Sequence, residues 1–275
     1  MKRIYTFGHE QVERNITVGD IIENKQKDKK MTQVTAANQE EAEIIVKQNI
    51  DMIITGSDWY EDVRKGAPNT FCILAMPYGS YSTKSIAIKN ASKMMKESGA
   101  DAIKLQCGKD RVDIISAVSS AGIPVMSHVG LLPHLVHVYG GFKMQGKNAE
   151  DAVKIIEDAI AIENAGAVGI EIEAVPAEVA HEVDRAVSIF TFSIGGGAAG
   201  NCQLLNGYDL IGGFNTFKPK FAKRFGNVAD VAENAFKEFV SEVKANTFPD
   251  TEHSYSMPQS ELIKFNQYLE GKRKS

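Results

Sequence analysis

Residues 150–173, Glu150-Asp-Ala-Val-Lys-Ile-Ile-Glu-Asp-Ala-Ile-Ala-Ile-Glu-Asn-Ala-Gly-Ala-Val-Gly-Ile-Glu-Ile-Glu173, set a helical pattern over 150–165 directly before a short β-rich run over 168–173. A second helical pattern at 177–185 and another β-rich run at 188–194 follow. Such alternation is the mark of repeated βα units on a parallel sheet. It extends both ways along the chain. Further β-rich runs fall at 31–35, 51–55, 71–76, 101–106, 123–128 and 203–206, with helical patterns at 39–49, 58–65, 84–98 and 109–121, and two more at 228–246 and 259–272. Eight β-rich runs favour an α/β fold closed into a (β/α)8 TIM barrel; an open doubly wound sheet stays possible, because periodicity does not show closure. A chain of 275 residues without a Pro/Gly/Ser linker suits one such domain over 1–275, ending in C-terminal helices over about 228–272.

The composition bounds the partners. With 43% hydrophobic and 24% charged residues, a formal net charge of -4 and no long run of one sign, the chain reads as a soluble globular protein that does not bind nucleic acid. Cys72, Cys107 and Cys202 are too few and too scattered for a disulfide framework or a CxxC metal site. They suit a reducing compartment. The start, Met1-Lys-Arg-Ile-Tyr-Thr-Phe-Gly-His9, lacks the apolar core of a signal peptide, and no window approaches the 18 or so apolar residues of a membrane span. The expectation is a cytoplasmic protein acting on a small molecule, away from membranes.

In a barrel the chemistry collects where strands end. Those ends are polar here: Thr35, Gly56-Ser57-Asp58, Lys104 with Gln106, Ser127-His128, Glu171 with Glu173, and Gly195-Gly-Gly197. Side chains alternate along a strand, so Lys104 shares a face with Gln106, and Glu171 shares one with Glu173. If Glu173 points into the mouth, Glu171 lies below it, where a charge must be paired or protonated. Lys104, two strands away, is the nearest plausible partner. Bland readings stand beside these: Glu173 as a solvated loop carboxylate, His128 as a satisfied core histidine, the glycine triplet as a simple turn. His134 and His137 read as cap or surface groups, since a zinc site would need a third ligand.

Several segments resemble one family. Ile123-Pro-Val-Met-Ser-His-Val-Gly-Leu-Leu-Pro-His134, Tyr139-Gly-Gly-Phe-Lys-Met-Gln-Gly-Lys147 and Ile172-Glu-Ala-Val-Pro-Ala-Glu-Val-Ala180 are similar to central signatures of the ketopantoate hydroxymethyltransferases. Arg64-Lys-Gly-Ala-Pro-Asn69, Phe192-Ser-Ile-Gly-Gly-Gly197, Pro219-Lys-Phe-Ala-Lys-Arg-Phe225 and Phe248-Pro-Asp-Thr-Glu-His-Ser254 extend the resemblance over about residues 28–256. It implies a barrel of the phosphoenolpyruvate mutase and isocitrate lyase group, assembled as a homo-oligomer. It also implies aldol-type transfer of a one-carbon unit from methylenetetrahydrofolate, as cosubstrate, to a 2-oxo acid such as 3-methyl-2-oxobutanoate, in pantothenate biosynthesis. By position, Glu173 becomes the acid/base, Lys104 the stabiliser of the enolate oxygen, and His128 a residue that positions substrate. Ser57, Asp58, Gln106 and Glu171 are the expected substrate-binding residues.

The family's metal positions differ. Where it has Gly-Asp-Ser, this chain has Gly56-Ser57-Asp58; Ala-Asp-Leu-Pro becomes Leu74-Ala75-Met76-Pro77; Lys-Leu-Glu-Gly-Gly becomes Lys104-Leu-Gln106-Cys-Gly108. Three carboxylates that would hold magnesium are thus Ser57, Ala75 and Gln106, and neutral oxygens hold a dication far less well. The expectation is no magnesium at these positions, with Glu171 beside Glu173, together with Asp58, left open as another place for a cation. The family's Tyr-Asp pair becomes Ala37-Asn38, and the segment between Gly56 and Arg64 is shorter than its lid. Two alternatives to the parent reaction remain open: a non-catalytic barrel subunit or regulatory homologue, and a folate-independent lyase on another 2-oxo compound.

Overall fold

A computed structural model describes residues 1–27 and 29–273. Positions 28, 274 and 275 of the expected 1–275 span lie outside them. The chain opens with an antiparallel hairpin, β1 (Lys2–Tyr5) and β2 (Gln11–Arg14), and a helix, α1 (Val18–Lys27). Eight strands follow: β3 (Met31–Thr35), β4 (Met52–Gly56), β5 (Phe71–Ala75), β6 (Ala102–Lys104), β7 (Val125–Gly130), β8 (Gly169–Glu173), β9 (Phe190–Ile194) and β10 (Cys202–Leu205). They pair in parallel and close into a barrel in the order β10-β3-β4-β5-β6-β7-β8-β9. That closure removes the open-sheet alternative.

Between the strands lie α2 (Gln39–Lys47), α3 (Tyr60–Gly66), α4 (Lys84–Ser98), α5 (Val112–Ser120), α6 (Val136–Tyr139), α7 (Ala149–Asn164) and α8 (Ala177–Ala186). After β10 come α9 (Gly207–Ile211), α10 (Val228–Ala245) and α11 (Gln259–Arg273). Three of the ring helices start where the sequence offers a side-chain cap: Asn38, Thr83 and Asn148 each accept a backbone N–H of the first turn. Most elements fall within two residues of expectation. The run at 101–106 pairs only over Ala102–Lys104, and 109–121 divides into a 3-10 turn at Lys109–Arg111 and α5. Neither the hairpin nor α1 and α9 stands out by periodicity. Helix α1 fills the outer ring beside β9, where the short connection to β10 carries no helix; Ile21 is buried there, and Lys25 Nζ lies 2.6 Å from Asp184.

Alternation along the strands makes two apolar layers. Ile53, Leu74, Ile103, Ile170 and Ile172 face the helices, where Ala42, Val63, Ala91, Ile115 and Ala159 meet them. Met52, Ile54, Phe71, Ile73, Ala102, Met126, Phe190, Phe192 and Leu204 fill the barrel interior. Gly169 leaves the room this needs: a Cβ there would stand 2.5 Å from Met126 Sδ and 2.9 Å from the Phe192 ring. One pleat up, the register sets Lys104 beside Ala75 and His128 beside Glu171, so the interior turns polar toward the mouth.

The C-terminal helices are different. Among the described residues none of α10 or α11 is buried, and Val228, Val231, Phe236, Phe239, Val240 and Val243 of α10 all lie exposed. Among those residues, too, no helix is long and apolar enough to cross a membrane.

Candidate active site

The strand ends of the barrel surround a cavity of about 430 Å3. Lys104, Gln106, Glu171 and Glu173 supply its polar floor, Ile54, Ala75, Ile194 and Leu204 its apolar wall. Trp59, Phe142 and Tyr208 stand on its rim, with Glu41 and Asn206. Trp59, the chain's only tryptophan, lies against the end of β4, its ring 3.3 Å from where a Cβ on Gly56 would be.

At the floor, Lys104 Nζ donates to Glu171 Oε2 at 2.5 Å, with both side chains more than nine-tenths buried. The sequence reading of Glu171 as a deep charge paired across two strands is what the barrel contains. Burial alone would push the Glu171 carboxyl up; the Lys104 ammonium opposes it and holds the group below its ordinary range, ionised. His128 lies behind this pair, wholly buried. Its Nε2 is 3.2 Å from Glu173 Oε2 and its Nδ1 is 3.9 Å from Glu171 Oε1, so the imidazole stands between two carboxylates. Among the described residues, neither ring nitrogen finds a conventional hydrogen-bond partner.

Glu173 is held by its backbone. Its carbonyl accepts from Leu131 N at 2.8 Å, and Ala174, in the left-handed region at φ 49°, is fixed by hydrogen bonds from its N–H to Ile194 O and from Gln145 N to its carbonyl, each 2.9 Å. Gly130 permits this approach, since a Cβ there would sit 2.3 Å from the Glu173 carbonyl oxygen. The carboxylate therefore stays at the mouth, partly exposed, above the sealed pair.

Not every expected residue converges. Ser57 and Asp58 are absent from the cavity wall; the Ser57 hydroxyl donates to the exposed Asp58 carboxylate at 3.3 Å. His128 also lies outside that wall and instead borders a smaller cavity of about 170 Å3 beside α7. Conversely His134 reaches Gln106, with Nδ1 and Oε1 3.4 Å apart, and its ring tilts against Tyr78. Burial, aided by Arg111, lowers its pKa. His137 is exposed, as a surface group should be. The glycine triplet is packed rather than open: Phe221 occupies the side-chain space of Gly195, and Ala180 that of Gly196. Trp59, Phe142 and Tyr208 went unmarked in the sequence, although Trp59 and Tyr208 follow strand ends closely, which is the signal that finds them.

Magnesium does not fit the family positions here. Ser57 is turned to Asp58, Ala75 has no donor atom, and Gln106 offers one neutral oxygen already facing His134. Among the described residues, one group of three potential ligands has donor atoms within 4.8 Å of one another: His128, Glu171 and Glu173. Its two histidine nitrogens face different carboxylates, and Glu171 already holds a cation, Lys104.

The fold is a (β/α)8 barrel, closed by eight parallel strands, with a carboxylate-lysine pair on the floor of its mouth. The structure matches phosphonopyruvate hydrolase with a TM-score of 0.55 at 13% identity, over 94% of this chain and 98% of that one. It matches 2,3-dimethylmalate lyase equally, at 0.55 and 12% identity over 94% and 99%. The family profile Ketopantoate hydroxymethyltransferase matches residues 57–251. The chain is 44% identical over 228 residues, 83% of its length and 76% of the relative's, to 3-methyl-2-oxobutanoate hydroxymethyltransferase 1 of Methylibium petroleiphilum. It is 38% identical over 270 residues, 90% and 98%, to the 3-methyl-2-oxobutanoate hydroxymethyltransferase of Clostridium novyi. The chain belongs to the ketopantoate hydroxymethyltransferase family.

The donor set makes a direct prediction. Calorimetric titration of the purified chain with magnesium should show no saturable binding below about 1 mM, while Ser57→Asp/Ala75→Asp/Gln106→Glu should gain it; tight binding by the unaltered chain would contradict the reading of these positions.

Proposed function

We propose that this chain performs the family's aldol-type chemistry, one-carbon transfer to the carbon next to the carbonyl of a 2-oxo acid such as 3-methyl-2-oxobutanoate, with an internal lysine where relatives use a dication. The observation that carries this reading is the Lys104–Glu171 pair on the cavity floor beneath Glu173. Abstraction of a proton from that carbon leaves charge on the carbonyl oxygen, and something positive must receive it. Lys104 is the cation at hand, and the Gln106 amide adds a donor.

Glu173 serves as the base that takes the proton and the acid that returns it. The aromatic rim of Trp59, Phe142 and Tyr208 gives flat walls to a bulky one-carbon donor, methylenetetrahydrofolate by family likeness. Assay of the purified chain with both compounds should give product formation that persists in chelator and falls at least about a hundredfold in Glu173→Gln. Loss of activity in chelator would contradict the metal-independent reading, and an unaffected Glu173→Gln would favour a non-catalytic barrel.

We also propose a homo-oligomer. The apolar face of α10, left in water on a single chain, supports a second copy as its cover. Light scattering after gel filtration should give a mass of at least two chains, reduced by Phe236→Glu/Phe239→Glu; a monomer would overturn it.

A further inference from the structure

The wholly buried imidazole of His128, with no conventional hydrogen bond on either nitrogen, needs a reason to be there. A histidine kept only for packing would be less costly as an apolar residue, because a buried nitrogen without a partner loses its hydration and gains nothing in return. Its position is specific. One nitrogen faces Glu173 at 3.2 Å and the other faces Glu171 at 3.9 Å, and the far oxygen of Glu171 holds Lys104 at 2.5 Å. Lys104, Glu171 and Glu173 border the cavity; His128 does not. Four groups from three adjacent strands, β6, β7 and β8, thus form one line that starts and ends at the substrate space.

We infer that Lys104, Glu171, His128 and Glu173 form a proton relay that returns the proton taken at the substrate carbon to the lysine that protonates its carbonyl oxygen. This rests on the enolisation proposed above and assigns Glu171 and His128 to it as relay residues. The need arises because a dication can hold an enolate oxygen without proton bookkeeping, whereas a lysine stabilises it most fully by giving up a proton.

The steps balance. Glu173 removes the proton; the C–H pair becomes the new C=C bond, and the carbonyl π pair moves to oxygen. An N–H proton of Lys104 passes to that oxygen, giving a neutral enol and a neutral amine. Glu173 then hands its proton to His128 Nε2, Nδ1–H passes to Glu171 Oε1, and the Glu171 carboxyl turns so that this O–H faces the amine and protonates it. The result is the enol, with every protein group back in its starting charge and His128 in its other tautomer, which passage of a proton in the reverse direction resets. Neither histidine link is a hydrogen bond in the substrate-free chain: Nδ1 to Oε1 exceeds one by about 1 Å and Nε2 to Glu173 Oε2, at 3.2 Å, is misaligned, and catalytic contacts of this kind tighten around substrate.

The test is release of tritium from C3-tritiated 3-methyl-2-oxobutanoate by the full-length chain, without folate, in mixtures of H2O and D2O. A relay moving several protons together predicts a bowed fall of rate with deuterium fraction. Glu171→Gln should slow release at least about tenfold and straighten the plot. Glu171→Gln leaves Lys104 buried without its partner, so His128→Gln, which spares that ion pair, is the second variant and should behave alike. A straight plot for the unaltered chain, or a bowed and undiminished one for either variant, would overturn the relay. Absence of tritium release from the unaltered chain would overturn the enolisation reading and the relay together.

Discussion

The ion pair between Lys104 and Glu171 is the constraint around which the mouth of this barrel is arranged. Two charges more than nine-tenths buried are tolerable only together: removal of either alone leaves an uncompensated charge at a cost of about 3–5 kcal/mol. Everything near them serves that pairing. The apolar interior below, filled by Ile73, Met126 and Phe192, keeps water from the floor, and Gly169 admits the side chains that do so. Low dielectric then makes the same lysine a strong electrostatic feature for anything bound above it.

The pair also explains how the family's scaffold persists without the family's carboxylates. A cluster of three acids around magnesium is anionic by design, and losing one acid alone would leave the others repelling one another. Here the side chains at Ser57, Ala75 and Gln106 are neutral together, and Lys104 stays paired with Glu171. Glu173 keeps its place because backbone hydrogen bonds with Leu131 and, through Ala174, with Ile194 hold the strand end that carries it.

Much of this was legible in the sequence, for a physical reason. Strand ends in a closed barrel share one face, so polar residues at the ends of β6, β7 and β8 had to meet, and the period of two along β8 placed Glu171 below Glu173. Burial then demanded a partner for Glu171. What periodicity does not carry is direction within loops. Ser57 and Asp58 sit past the end of β4, where one turn of backbone decides between cavity and solvent, and Trp59 takes the inward place. His134 likewise reaches Gln106 only because a 3-10 turn at Pro133–Leu135 carries it over the rim. His128 read either as core or as catalytic, and it is buried like the first while facing the groups of the second.

The central claim is that Lys104 and Glu171 act as one unit, and a double-mutant cycle on unfolding free energy measures it without any assumption about substrate. Lys104→Met, Glu171→Gln and the double variant, unfolded in urea, should show a coupling of at least about 2 kcal/mol, with the double variant more stable than either single one. Additive losses, agreeing within about 0.5 kcal/mol, would contradict the account.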